Sequence, residues 1–163
     1  MTVTASLRTT VKQRLVDVFT DALKALDGAT VRVSYGQFKD PAREGVVLGD
    51  IRTTDETLDS MTGALNRKPS RDKFTIEGII GARQIGQTCL VGEQRVEAIY
   101  DLLKNATIDP TVAGPVLYGG GTYPAITGLV SAWLRPGDLL SDATNEGWQS
   151  TLEFFVDVET RLT

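Results

Sequence analysis

The stretch "WQSTLEFFVDVETRLT", Trp148–Thr163, decides the fold. Trp148, Leu152, Phe154, Val156, Val158 and Leu162 take every second position, and Gln149, Thr151, Glu153, Asp157, Glu159 and Arg161 take most of the others. Successive side chains of a strand point to opposite faces, so this pattern makes one dry face and one wet face. A strand wetted on one side belongs to an antiparallel sheet, because parallel sheets are covered on both. The dry face then requires a cover, and the upstream sequence offers two amphipathic helices for it.

In the first helix, Leu7 to Leu26, the apolar positions are Leu7, Val11, Leu15, Val18, Phe19, Ala22, Leu23 and Leu26. Steps of three and four place them on one stripe, and Gly28 stands just past the end as a stop. The second helix runs from about Cys89 to Asn105, with Val96, Ile99 and Leu103 on its stripe. Strands are expected over Thr30–Gly36, Gly45–Arg52, Lys73–Arg83 and Ala125–Leu134, with "RPGDLLSDATNEG" (Arg135–Gly147) as a loop. In the third of these, Phe74, Ile76, Ile80 and Ala82 fall on one face. Thr53–Asp72 is polar and carries Gly63 and Pro69, so it reads as a long loop between strands 2 and 3. The expected fold is one α+β domain over 1–163, an antiparallel sheet packed by two helices. Its core should join Leu15, Val18, Phe19, Val96, Ile99 and Leu103 to Trp148, Leu152, Phe154 and Val156.

The 163 residues suffice for one domain with a sizeable core, and 41% hydrophobic with 23% charged residues fits a folded chain. A net charge of -4 and a pI near 4.9 argue against nucleic acid, which selects a basic face. There is no apolar run of membrane-spanning length, and the N-terminal "MTVTASLRTTVKQ" has no secretory core. The single cysteine, Cys89, allows no internal disulfide and suits a reducing cytoplasm. With no histidine, every His-based triad and every His-containing zinc site is excluded, and Cys89 has no imidazole to activate it. No carboxylate pair stands out by spacing. No cofactor, metal ligand or catalytic residue is therefore expected.

One motif invites the opposite view. From Gly81, "EGIIGARQIGQTC" (Glu77–Cys89) spells G-x-x-x-x-G-Q-T, one letter from a phosphate-binding loop. Gln87 replaces the lysine that reaches the outer phosphates, however, and the preceding strand alternates where a phosphate-loop strand is buried on both faces. Gly81 and Gly86 are better read as shaping a strand-to-helix turn. "YGGGTYP" (Tyr118–Pro124) lacks a following Lys or Arg and is read as a loop.

The order of elements resembles the tail terminator and minor tail proteins of long-tailed phages, particularly those of actinobacteria. "VRVSYGQFKDPAREGVVLGDI" (Val31–Ile51), "GALNRKPSRDKFTIEGIIGAR" (Gly63–Arg83) and "NEGWQSTLEFFVDVETRL" (Asn145–Leu162) carry that resemblance across most of the chain. It implies a non-catalytic virion protein assembled in the bacterial cytoplasm, a homomeric ring, usually a hexamer. Such a ring caps the tail tube, stops its growth and meets a head-completion or connector protein. On that reading, the acidic Asp55, Glu56 and Asp59 and the basic Arg67, Lys68, Arg71 and Lys73 of one arm can pair with the next subunit. The wet face with Glu153, Asp157 and Glu159 would look into the lumen. The neighbouring connector or stopper proteins of the phage neck share this profile. A monomeric ligand-binding module and a small nucleotide-binding enzyme are the alternatives of a different class.

Overall fold

The computed structural model describes residues 7–26, 31–36, 44–55, 71–84, 88–108, 123–144 and 147–161. In chain order these form helix α1 (Arg8–Leu23), strands β1 (Arg32–Ser34), β2 (Glu44–Asp55) and β3 (Arg71–Gln84), helix α2 (Cys89–Ile108), and strands β4 (Leu129–Thr144) and β5 (Gly147–Arg161). The strands make one sheet in the order β1-β2-β3-β5-β4. Every pairing is antiparallel except β1 with β2, which is parallel over three residue pairs. The fold is α+β, with both helices on one face of the sheet.

The alternation of β5 sets the register. Leu152, Phe154, Val156 and Val158 lie opposite Ile80, Gly78, Ile76 and Phe74 of β3, so the dry residues of the two central strands form one surface. Val11, Leu15, Val18, Phe19 and Leu23 of α1 and Val96, Ile99, Tyr100 and Leu103 of α2 are buried on it. Each such side chain stabilises by roughly 1.5–3 kcal/mol. Phe154 lies across the middle, its ring edge-on to Phe19 at 6.2 Å between centroids. Gly78 makes this possible: a Cβ there would stand 2.2 Å from the Phe154 ring.

Polar clamps fix both helices to the sheet. Arg8 grips Asp72 with two hydrogen bonds, 2.7 and 2.9 Å, and so ties the start of α1 to the start of β3. Arg95 grips Glu44 in the same forked way at 2.9 and 3.0 Å, which ties α2 to β2. Lys12 donates to the carbonyl of Gly49, beyond the point where β1 stops pairing, and thus covers the bared edge of β2. Tyr123 donates to Asp21 and to the carbonyl of Asp17, holding the segment before β4 against α1.

Four expectations need correction. Trp148 keeps the parity of the dry face but sits at the strand end, 37% exposed, outside the core. Residues Arg135–Thr144, read as loop, continue β4 to its hairpin with β5. Pro136 is tolerated because β4 is an edge strand, where a missing N–H forfeits no ladder bond. The register slip between Pro136 and Leu139 absorbs Gly137 and Asp138 as a bulge. The hairpin closes at Gly147, whose φ of 130° a side chain would resist. Thr53 and Asp55 belong to β2 and Arg71 and Asp72 to β3, which shortens the expected loop at both ends. β1, expected over Thr30–Gly36, spans only Arg32–Ser34 among the described residues, and its pairing with β2 is the one parallel pairing of the mostly antiparallel sheet.

Candidate interaction face

The face of the sheet turned away from the helices is where the wet positions of β2, β3, β5 and β4 meet. Side by side across it stand Arg52, Thr75, Asp157 and Trp133, then Glu77, Phe155 and Arg135, then Val47, Ile79 and Glu153. Three ion pairs cross between strands: Arg52 with Glu77, Arg135 with Asp157 at 3.0 Å, and Arg71 with Glu159 at 3.0 Å. The Arg135 guanidinium also lies 4.5 Å above the Phe155 ring. Opposite-charge pairs across neighbouring strands are the expected furniture of a solvated face.

The apolar residues are not. Ile79 is 47% exposed, Trp133 58% and Leu140 55%, all on this face. With half-buried Val47 and Phe155, Ile79 and Trp133 make a diagonal from β2 to β4, while Leu140 stands apart from it, opposite Thr151. A contiguous apolar patch framed by polar residues is characteristic of contact surfaces. It has a sequence signal that the reading of alternation passes over. Each of the four longer strands, β2 to β5, carries an apolar doublet, Val46–Val47, Ile79–Ile80, Leu139–Leu140 and Phe154–Phe155. In each, one member enters the core side and the other must face out.

Asp157 is the best-engaged carboxylate of the face. It accepts from Arg135 and, at 2.7 Å, from the hydroxyl of buried Thr75. Partial burial pushes its carboxyl upward, but the hydrogen bonds from Arg135 and Thr75 outweigh this and hold it below the usual carboxylate range. Glu153 stands beside Ile79 and Phe155 and has no ion-pair partner among the described residues. The expected wet-face residues Glu153, Asp157 and Glu159 therefore do share one surface, although two of the three are already neutralised by arginine.

The proposed charged arm is only partly within view. Glu56, Asp59, Arg67 and Lys68 lie outside the described residues, as does the side chain of Asp55, whose backbone is paired with Lys73. Arg71 and Lys73 are not loop residues. They begin β3 at one corner of the open face, where Arg71 lies opposite Arg161 of β5 and Lys73 opposite Glu159. Lys73 makes no ion pair with a described residue.

Elsewhere several polar groups hold the fold together. The Lys12 ammonium is 4.0 Å above the Tyr35 ring and is lowered in pKa by burial, with Asp50 opposing. It borders a cleft of about 490 Å³ with Asp50 and Glu77. Glu93 of α2 accepts from Ser141, which bonds to buried Ser150, and from the thiol of Cys89. In the G-x-x-x-x-G-Q-T motif, Gly81 to Gln84 are strand residues of β3, antiparallel to both neighbours, while Gly86 and Gln87 lie outside the described residues. No group of three metal-ligating side chains occurs among the described residues, and no described helix is long and apolar enough to cross a membrane. Comparison of the chain with protein-family models finds no match, and comparison with curated proteins finds none.

Proposed function

We propose that this chain is a structural assembly protein of a phage virion, a tail terminator whose copies form a ring that caps the tail tube and meets the head. The observation that supports an assembly role best is the open sheet face, an apolar diagonal framed by arginine–carboxylate pairs. Aromatic and arginine residues of this kind are enriched where proteins meet. The assignment to the phage tail rests on the sequence resemblance.

Replacing residues 56–70 by a short turn tests the tail reading. That segment joins two antiparallel strands whose last pair is Asp55 with Lys73, so its removal should leave the sheet intact. Exposed ion pairs contribute individually about 0–1 kcal/mol, enough to guide assembly but not to hold it. The expected phenotype is folded protein with uncapped tails, seen by electron microscopy as overlong tubes or tailless heads. Normal virions from the deletion would remove the arm from the capping mechanism. Failure of the purified chain to cap growing tubes would remove the terminator assignment, and activity in joining heads instead would make it a connector.

A further inference from the structure

At the end of the open face where β3 begins, the surface is concave. Lys73 of β3, Ser131 and Trp133 of β4, and Asp157 and Glu159 of β5 line a cleft of about 430 Å³, an ordinary size for a small-molecule site. The register sets Lys73, Glu159 and Ser131 in one row and Thr75, Asp157 and Trp133 in the next. β5 is therefore the floor, and the two walls stand two strand spacings apart, about 10 Å. One wall carries the most exposed large ring of the face, Trp133. The polar groups keep hydrogen-bonding capacity to spare. Glu159 accepts from Arg71 at Oε1, 3.0 Å away, and its Oε2 has no partner among the described residues. The Lys73 ammonium and the Ser131 hydroxyl take part in no ion pair or side-chain hydrogen bond with a described residue. Asp157 is held from behind by Arg135 and Thr75.

Charge separates the ligand classes this cleft could take. A cation would find both carboxylates already neutralised by arginine, with the Lys73 ammonium opposing it. A phosphate would have to rest on Asp157 and Glu159. A flat apolar ligand would cover the Trp133 ring but strip water from Lys73 and Glu159 without replacing it. A neutral ring with hydroxyls on its edge and C–H groups on its face satisfies every group. Its hydroxyls donate to Glu159 and accept from Lys73, and its C–H face lies on the electron-rich face of the indole. We propose that the Trp133 cleft is a binding site for a neutral saccharide, with Trp133 as the platform and Lys73 and Glu159 as the hydrogen-bonding pair. Arg71 holds Glu159 in place for this, and Arg135 holds Asp157. The site goes beyond the proposed assembly role and does not depend on it.

Trp133 and Trp148 are the chain's only tryptophans, so Trp148→Phe leaves Trp133 as the sole indole reporter. The methyl glycosides of glucose, galactose, mannose and arabinose, together with cellobiose and maltose, are titrated into that chain through the millimolar range. At least one should shift the Trp133 emission saturably. Lys73→Met should weaken that sugar by roughly tenfold or more, the worth of a hydrogen bond to a charged group, with circular dichroism unchanged. Trp133→Ala, an exposed position, should fold normally and lose the sugar, followed by amide NMR shifts. Binding that survives Trp133→Ala puts the sugar elsewhere and overturns the site. A saturable response to tetramethylammonium or to adenosine monophosphate, with none to the sugars, overturns the saccharide in favour of a cation or a nucleotide. No saturable response to any of the sugars overturns the proposal outright. The assembly reading would survive that result, because it makes no demand on the free chain's ligands.

Discussion

At residue scale, the tightest constraint in the core is a missing side chain. Gly78 lies under the Phe154 ring, three of whose carbons would stand 2.2–2.6 Å from any Cβ at that position. Gly78→Ala should therefore destabilise by about 1–3 kcal/mol, the usual cost of overpacking, as measured by urea unfolding. Trimming the ring with Phe154→Leu in the same chain should cost less than the sum of the two single changes, because the residues touch. On the opposite face, Asp157 makes a prediction about acid. Its folded pKa is depressed, so its contribution to stability is present at neutral pH and is lost as pH falls from the ordinary value of about 3.9 through the folded value. Carboxyl NMR titration should place it below ~3.9 in the native chain and above that in Arg135→Met with Thr75→Val, where burial acts unopposed.

At the scale of elements, the two arginine forks decide how the helices sit. Arg95 and Glu44 are 23% and 11% exposed, so the pair is largely withdrawn from water. Removing one partner strands the other charge. Glu44→Leu alone should cost about 1–3 kcal/mol in denaturant unfolding, whereas Glu44→Leu with Arg95→Met should recover most of it. The elements also show where local reading of the sequence fails. Alternation marked β5, β3 and the segment around β1, because the period of 2 can be read within each single segment. It stopped β4 at Leu134, since "RPGD" has the composition of a turn. Only the position of β4 at the sheet edge makes Pro136 and the following bulge acceptable, and edge position depends on strand order, not on local sequence.

At the scale of the molecule, one sheet carries one core, and β5 is held between β3 and β4 along almost its whole length. Phe154→Asp would bury a charge at the centre of that core without a partner and should abolish soluble folded protein, judged by expression and by circular dichroism. The rival nucleotide reading has its own measurement. Calorimetry with ATP and magnesium should show no micromolar binding, and binding that is lost in Gly86→Val would restore a phosphate-loop function.

The sequence by itself determined the α+β class, both helices and the dry faces of the central strands, since those follow from periods of 3.6 and 2 within single segments. Leu15, Val18, Phe19, Val96, Ile99, Leu103, Leu152, Phe154 and Val156 were all legible as core for that reason. Trp148 was misread because period reports a face and not a distance from the sheet's end. Of the candidate site, the sequence marked Glu153, Asp157 and Glu159 as one wet row. It could not show that Arg135 and Arg71 neutralise two of them, or that Val47, Ile79, Phe155 and Trp133 align into a stripe. Those residues are brought together by strand order and register, which arise from long-range pairing and are written in no single segment of the chain.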